Sequence, residues 1–226
     1  MTLTLETLEQ VPVARQSRQS AIIAERTKEA QVVVVGAGML GSWVTATLAR
    51  YAGHVHLWDD DAVEPENLGC QMYGAKDIGD NKAQAVAEML LGLPITAYPA
   101  RMEDLGKFLT AHPCDVVVSA VDTMAGRRAF ATAAMKAETP LFVDTRATGE
   151  TAAVLTAYNK TGYKEYLAAL FRDEDIPDGP CGERGTSYVG MWVGSYVGAL
   201  VNKFFQGRMP EPMITYHVGI QSRLDK

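Results

Sequence analysis

The sequence has too little cysteine for a disulfide framework: Cys70, Cys114 and Cys181 are its only three. An odd count without paired spacing points to reduced thiols. No Cys-x-x-Cys occurs, so the spacing most diagnostic of zinc is missing and no zinc is expected. Basic charge is also scarce. Lys and Arg total 21 against 27 Asp and Glu, a net charge of −6. A general nucleic-acid or membrane-surface binder needs a basic face, so neither partner is expected. Long apolar runs are missing too: stretches such as Gln31–Met39 fall far short of the ~20 residues a membrane span requires. The opening MTLTLETLEQ carries acids and no basic-then-apolar signal pattern, which points to the cytoplasm.

What is present is ordinary globular chemistry. The 226 residues, 47% hydrophobic and 21% charged, are enough for one domain with a real core. A loose arm is expected over 1–17 and a polar helix over 18–29. Val32–Val35 is a β-branched run of the kind buried in parallel sheets. Helical spacing follows over Met39–Tyr51, then alternation over His54–Trp58 that runs into three acids. Asp60–Gly79 is a polar connection longer than most loops, hence a candidate for function. Further helices are predicted over 81–91, 125–136 and 188–205, and strands over 95–99, 115–121, 141–144, 151–158 and 213–219. The segment 171–186 reads as irregular surface. The fold class is α/β: a Rossmann-like, doubly wound, mostly parallel sheet with helices on both faces and antiparallel strands toward the C-terminus. Nothing divides the chain, so a single nucleotide-binding domain over 1–226 is expected.

The chemistry begins at Gly36-Ala37-Gly38-Met39-Leu40-Gly41, a Gly-x-Gly-x-x-Gly that follows a strand and opens a helix. Glycines there allow a tight turn and let phosphate oxygens reach helix N–H groups. Asp59, 18 residues beyond Gly41 at the end of the next strand, is placed to accept ribose hydroxyl protons. A nicotinamide-dependent oxidoreductase fits these features as well as an ATP enzyme does.

The following stretch separates the two. Asp59–Gln71, reading DDDAVEPENLGCQ, resembles without a gap the D-x-D-x-V-E-x-S-N-L-N-R-Q segment of the ThiF/MoeB/HesA family, bacterial relatives of ubiquitin-activating enzymes. Gly79-Asp80-Asn81-Lys82-Ala83 is similar to that family's G-x-x-K-A, and Val121–Arg127 to its T-D-N-x-x-x-R. Arg15–Gln19 resembles the R-Y-x-R-Q of its first helix. The resemblance implies an adenylyltransferase: Mg-ATP is attacked by a carboxylate, the C-terminus of a ubiquitin-like or sulfur-carrier protein or of a peptide, and pyrophosphate is released. It implies that Asp59 and Asp61 belong to the nucleotide site with Gly36, Gly38 and Gly41. Asn67 and Lys82 would contact phosphates, and Asp122 would hold Mg²⁺. Arg18 would reach the opposite subunit of a homodimer. Such chemistry needs a hard oxygen ligand for Mg²⁺ and cations for phosphate. Surface or capping roles for Arg18, Asn67, Lys82 and Asp122 remain the alternatives.

Two further positions stand out. The family arginine before Gln71 is Cys70 here, removing a triphosphate-binding cation, with Arg127 or Arg128 as the candidate replacement. That departure also leaves open a catalytically impaired, nucleotide-binding scaffold. Cys181 lies in a Gly-rich stretch beside Arg184, where some family members carry a sulfur-handling cysteine. A thioester or persulfide and an incidental surface thiol are both open there. Cys114 reads as a core thiol, and His54, His56, His112 and His217 as structural.

Overall fold

The computed structural model describes residues 17–171 and 185–217. Strands β1 (Gln31–Val35), β2 (His54–Trp58), β3 (Ile95–Tyr98), β4 (Val116–Ser119), β5 (Leu141–Thr148), β6 (Thr151–Ala157) and β7 (Met213–His217) form one sheet. Its order is β3-β2-β1-β4-β5-β6-β7. The first five strands in this order pair in parallel, while β5–β6 and β6–β7 pair antiparallel. The chain therefore turns from winding toward β3 to winding toward β5 at the β1–β4 boundary. In open α/β sheets that switch point opens a crevice at the carboxyl ends of the strands.

Helices α1 (Glu25–Glu29), α2 (Met39–Leu48), α3 (Lys82–Met89), α4 (Leu105–Ala111), α5 (Met124–Lys136), α6 (Lys160–Ala168) and α7 (Ser187–Phe205) cover the two faces. Val32 and Val34 face a core shared with Val44 and Leu48 of α2, Val86 of α3 and Val193 and Val197 of α7. Val33 and Val35 point the other way, toward Leu105, Leu109, Phe130, Tyr163 and Tyr166. All four valines of β1 are buried, each worth about 1.5–3 kcal/mol of apolar transfer. This is why an unbroken β-branched run, not an alternating one, builds the central strand. Helix α7 lies against α2 at glycine distance: a Cβ at Gly194 would fall 2.7 Å from the Trp43 carbonyl oxygen.

Two departures from the sequence reading concern helices. The region 18–29 is not one helix; a short turn at Ser17–Gln19 precedes α1. Asn202 of α7 holds the intervening chain open, accepting from Ala24 N at 2.9 Å and donating to Ile22 O at 3.1 Å. Helices α4 and α6 were unforeseen, because each buries few side chains. Asp104 and Asn159 start them, accepting from Lys107 N at 2.9 Å and Gly162 N at 2.8 Å. Among the described residues no helix is long and apolar enough to cross a membrane.

Candidate active site at the mouth of the sheet

The three glycines after β1 do different work. Gly36 has φ +96°, and a Cβ there would lie 2.6 Å from the Ala120 carbonyl oxygen. At Gly41 a Cβ would meet the Gly36 carbonyl at 1.8 Å. Both permit the close approach of β1, α2 and the end of β4. Gly38 is different: nothing lies within 4 Å of the position its Cβ would take. It is the N-cap of α2 and brings no side chain to the helix start, and a helix N-terminus is suited to an anion.

Asp59, just past β2, closes one side of this loop. Its Oδ2 accepts from Ala37 N at 2.6 Å and its Oδ1 from Asp61 N at 2.9 Å. Burial raises its pKa above the ordinary value, opposed by those two N–H groups and by Lys82. Lys82 opens α3 behind the cap Asn81, and its Nζ donates to Asp61 Oδ2 at 2.9 Å. The lysine side chain is only 10% exposed while Asp61 is 67% exposed, so the ammonium lies inside and its partner at the rim. Sequence reasoning missed Tyr73. Its buried hydroxyl donates to Ala37 O at 2.5 Å and lies 3.2 Å from Lys82 O, fastening the glycine loop to α3. The only hint was an aromatic within a polar connection.

Asp122 stands exposed beyond β4. Thr123 caps α5, accepting from Gly126 N at 3.3 Å, and Asp122 acts electrostatically on Arg127 of that helix. Behind it lies a second cluster that sequence reasoning missed. The fully buried Asp144 accepts from Arg127 at 2.8 Å, from Arg146 Nε at 2.7 Å and from the Tyr166 hydroxyl at 2.9 Å. Arg127 also donates to Val121 O. Burial lowers the Arg127 pKa, with Asp144 opposing; for Arg146 burial also works downward, but Asp144 outweighs it and the shift is upward.

A glycine loop backed by a strand-end acid, a buried lysine and an exposed carboxylate across the switch point can hold a phosphate ester. The ThiF family profile matches residues 12–219. The chain belongs to the ThiF family. A sulfur carrier protein adenylyltransferase of Thermus thermophilus is 38% identical over 109 residues, 46% of this chain and 40% of that protein. The ATP-dependent ubiquitin transferase-like protein Cap2 of Escherichia coli is 33% identical over 70 residues, 29% of this chain and 12% of its own. The matches thus span less than half the length of these curated relatives. Among solved structures, PaaA superposes with a TM-score of 0.70 at 17% identity, over 96% of this chain and 72% of that one. E. coli TcdA, a tRNA N6-threonylcarbamoyladenosine dehydratase solved with AMP, gives 0.66 at 17% identity, over 92% and 98%. E. coli MccB solved with ATP gives 0.65 at 19% identity, over 93% and 68%. These likenesses establish the fold.

In this ThiF-family chain the glycine loop, Asp59, Asp61, Lys82 and Asp122 gather at the carboxyl edge of the sheet. Asn67 is buried in the turn Pro65–Gly69, where its Oδ1 accepts from Glu64 N at 2.9 Å. Arg18 is exposed, and the chain just after it is tied to Asn202 and Gln206, at the end of α7 remote from the glycine loop. One chain alone does not bring it to the site. Cys181 lies outside the described residues; at Gly185 a Cβ would be 2.9 Å from the Met39 side chain. Both arginines offered by the sequence as replacements for the missing cation at position 70 have other partners. Arg127 is committed to Asp144 and Val121, and Arg128 donates to Leu167 O and Leu170 O, both at 3.0 Å. Cys114 is buried and its thiol is pushed up to about 12 by burial and then by Asp115, as suits a core thiol. Among the described residues, the acids Asp59, Asp60 and Asp61 form the one cluster with metal-ligand spacing, and no histidine joins it.

Proposed function

We propose that this chain uses Mg-ATP to adenylate the C-terminal carboxylate of a small ubiquitin-like or sulfur-carrier protein or of a peptide. A carboxylate oxygen attacks the α-phosphorus, the new O–P bond forms, and the bond to the β-phosphate oxygen breaks. Pyrophosphate leaves with the electron pair. The observation that carries this reading is the strand order, which sets the glycine loop after β1 between Asp59 after β2 and the exposed Asp122 after β4. Family membership and the Thermus relative's name support the reaction class.

Asp59 would orient the ribose, and the α2 amides with Lys82 would balance phosphate charge as it shifts toward the leaving group. Asp61 holds Lys82 in position, and Asn67 would complete the phosphate side. Asp122 would hold the Mg²⁺, which when bound supplies charge neutralisation on the phosphates. Asp122 fits that group: it is an exposed hard oxygen donor just beyond β4. Arg18 would act across a homodimer, and the Cys181 thiolate would attack the carbonyl carbon of the acyl adenylate, forming a thioester as AMP leaves. The test is ATP–pyrophosphate exchange with candidate carrier proteins. Exchange that vanishes in Asp122→Ala supports the reading; no exchange and no ATP binding at millimolar levels would sink it.

Cys70 favours a second reading. With Arg127 and Arg128 both engaged elsewhere, a homologue that binds nucleotide without turning it over is consistent with the missing cation. Cys70→Arg separates the two: turnover appearing only in that variant marks an impaired site.

A further inference from the structure

Across the mouth of the sheet the strands run β2, β1, β4, β5. Their carboxyl ends carry Asp59, then the glycine loop, then Asp122, then Arg146. The β5 register fixes the last of these: Asp144 pairs with Ser119 of β4, so Arg146 stands two residues farther out on the same face. Ribose and phosphate chemistry occupies the β2 and β1 side. The β5 side offers a cation instead.

Two guanidinium groups share the single carboxylate of Asp144, and Asp122 acts on Arg127 besides, so Asp144 is the one carboxylate paired with Arg146 among the described residues. The cluster's donors are in surplus. Arg127 Nε and one terminal nitrogen of Arg146 are buried and have no hydrogen-bond partner among the described residues. Buried donors are nearly always paired, and leaving one unpaired costs about 1–3 kcal/mol. Arg127 is sealed, with 7% of its side chain exposed, whereas Arg146 is 21% exposed and reaches the rim. Its Nε is anchored by Asp144 and Tyr166 also bonds the group, which aligns the guanidinium, while one terminal nitrogen is left without a partner among the described residues.

We propose that Arg146 receives the carboxylate of the acceptor and delivers it to the α-phosphate from the β5 side. This rests on the adenylation reading and names the group that binds the second substrate. A planar guanidinium fits a carboxylate edge, and one already fixed by an ion pair loses little freedom on binding it. The leaving pyrophosphate belongs to the opposite flank, by Gly38 and Lys82, so Arg146 discriminates between the two anions by position.

The test is NMR on the whole chain carrying nitrogen-15 arginine, with the Arg146 Nε resonance assigned by its loss in Arg146→Gln. Sodium acetate should shift that resonance, while sodium chloride at matched ionic strength and inorganic pyrophosphate should not. Backbone amide shifts of Thr145 and Ala147 that accompany the acetate titration should disappear in Arg146→Gln. An Arg146 resonance indifferent to acetate overturns the inference, and one that follows pyrophosphate assigns the residue to the leaving group and overturns it too. Mg-ATP binding is read separately by calorimetry on the same sample. If ATP binds and acetate does nothing, only this inference falls; if ATP does not bind, the proposed function falls and takes the inference with it.

Discussion

Single hydroxyls and carboxylates carry disproportionate weight at the sheet mouth. Tyr73 donates into the glycine loop from a position where burial, then Asp59, Asp77 and Asp61, all push its pKa upward, so the phenol stays protonated and remains a donor. Tyr73→Phe keeps the ring's packing and removes one buried bond, a loss of about 1–2 kcal/mol. Urea unfolding should show the lower midpoint with an unchanged slope, and calorimetry should show weaker ATP binding as the loop loosens. Asp144→Asn is harsher. It leaves the buried Arg127 and the half-buried Arg146 facing each other with a neutral partner, and stability should fall by about 3–5 kcal/mol. Circular dichroism melts of the wild type and variant check this. Neither residue was legible beforehand. Asp59 and Lys82 sit in a local motif, whereas Asp144 meets Arg127 and Tyr166 from 17 and 22 positions away in the chain, and no periodicity announces such a meeting.

At the level of elements, glycine substitutions separate packing from binding. Gly194→Ala drives a Cβ into the Trp43 backbone at the α2–α7 contact, where neither helix can yield cheaply. A fall of about 1–3 kcal/mol in stability is expected, read as a lower melting temperature. A Cβ at Gly38 meets no described atom within 4 Å beyond its chain neighbours, and φ there is −71°. The melting temperature of Gly38→Ala should stay within a degree or two of wild type by the small size of surface effects, ~0.5 kcal/mol or less, while ATP affinity drops. Parallel strands were readable because burial on both faces demands uninterrupted Val runs. Helix α7 was readable from its apolar length. Helices α4 and α6 escaped because two buried residues each, Leu105 with Leu109 and Tyr163 with Tyr166, make a faint stripe; their caps Asp104 and Asn159 were the better clue.

For the molecule as a whole, the outer β2–β3 flank sets a pH response. His56 lies among His54, Tyr98, Phe108 and His112, and its pKa is lowered to about 4 by burial, then by His54 and His112. The unfolded chain takes up this proton near the ordinary histidine value of about 6.5, before the folded chain does. The stabilising contribution is therefore complete above that value and is lost as pH falls from about 6.5 toward about 4. Urea midpoints at pH 7 and pH 5 should differ in that direction, and His56→Gln should flatten the difference.

The parallel register also fixes how function fails. Adjacent strands are spaced about 4.8 Å apart by their backbone hydrogen bonds. From β2 to β5 the strand ends therefore form a ruler of three such intervals, graduated by main chain instead of by side-chain contacts. A core substitution that slackens the helices moves none of its marks. Damaged variants of this protein should accordingly lose their folded fraction while each surviving molecule still measures the same span.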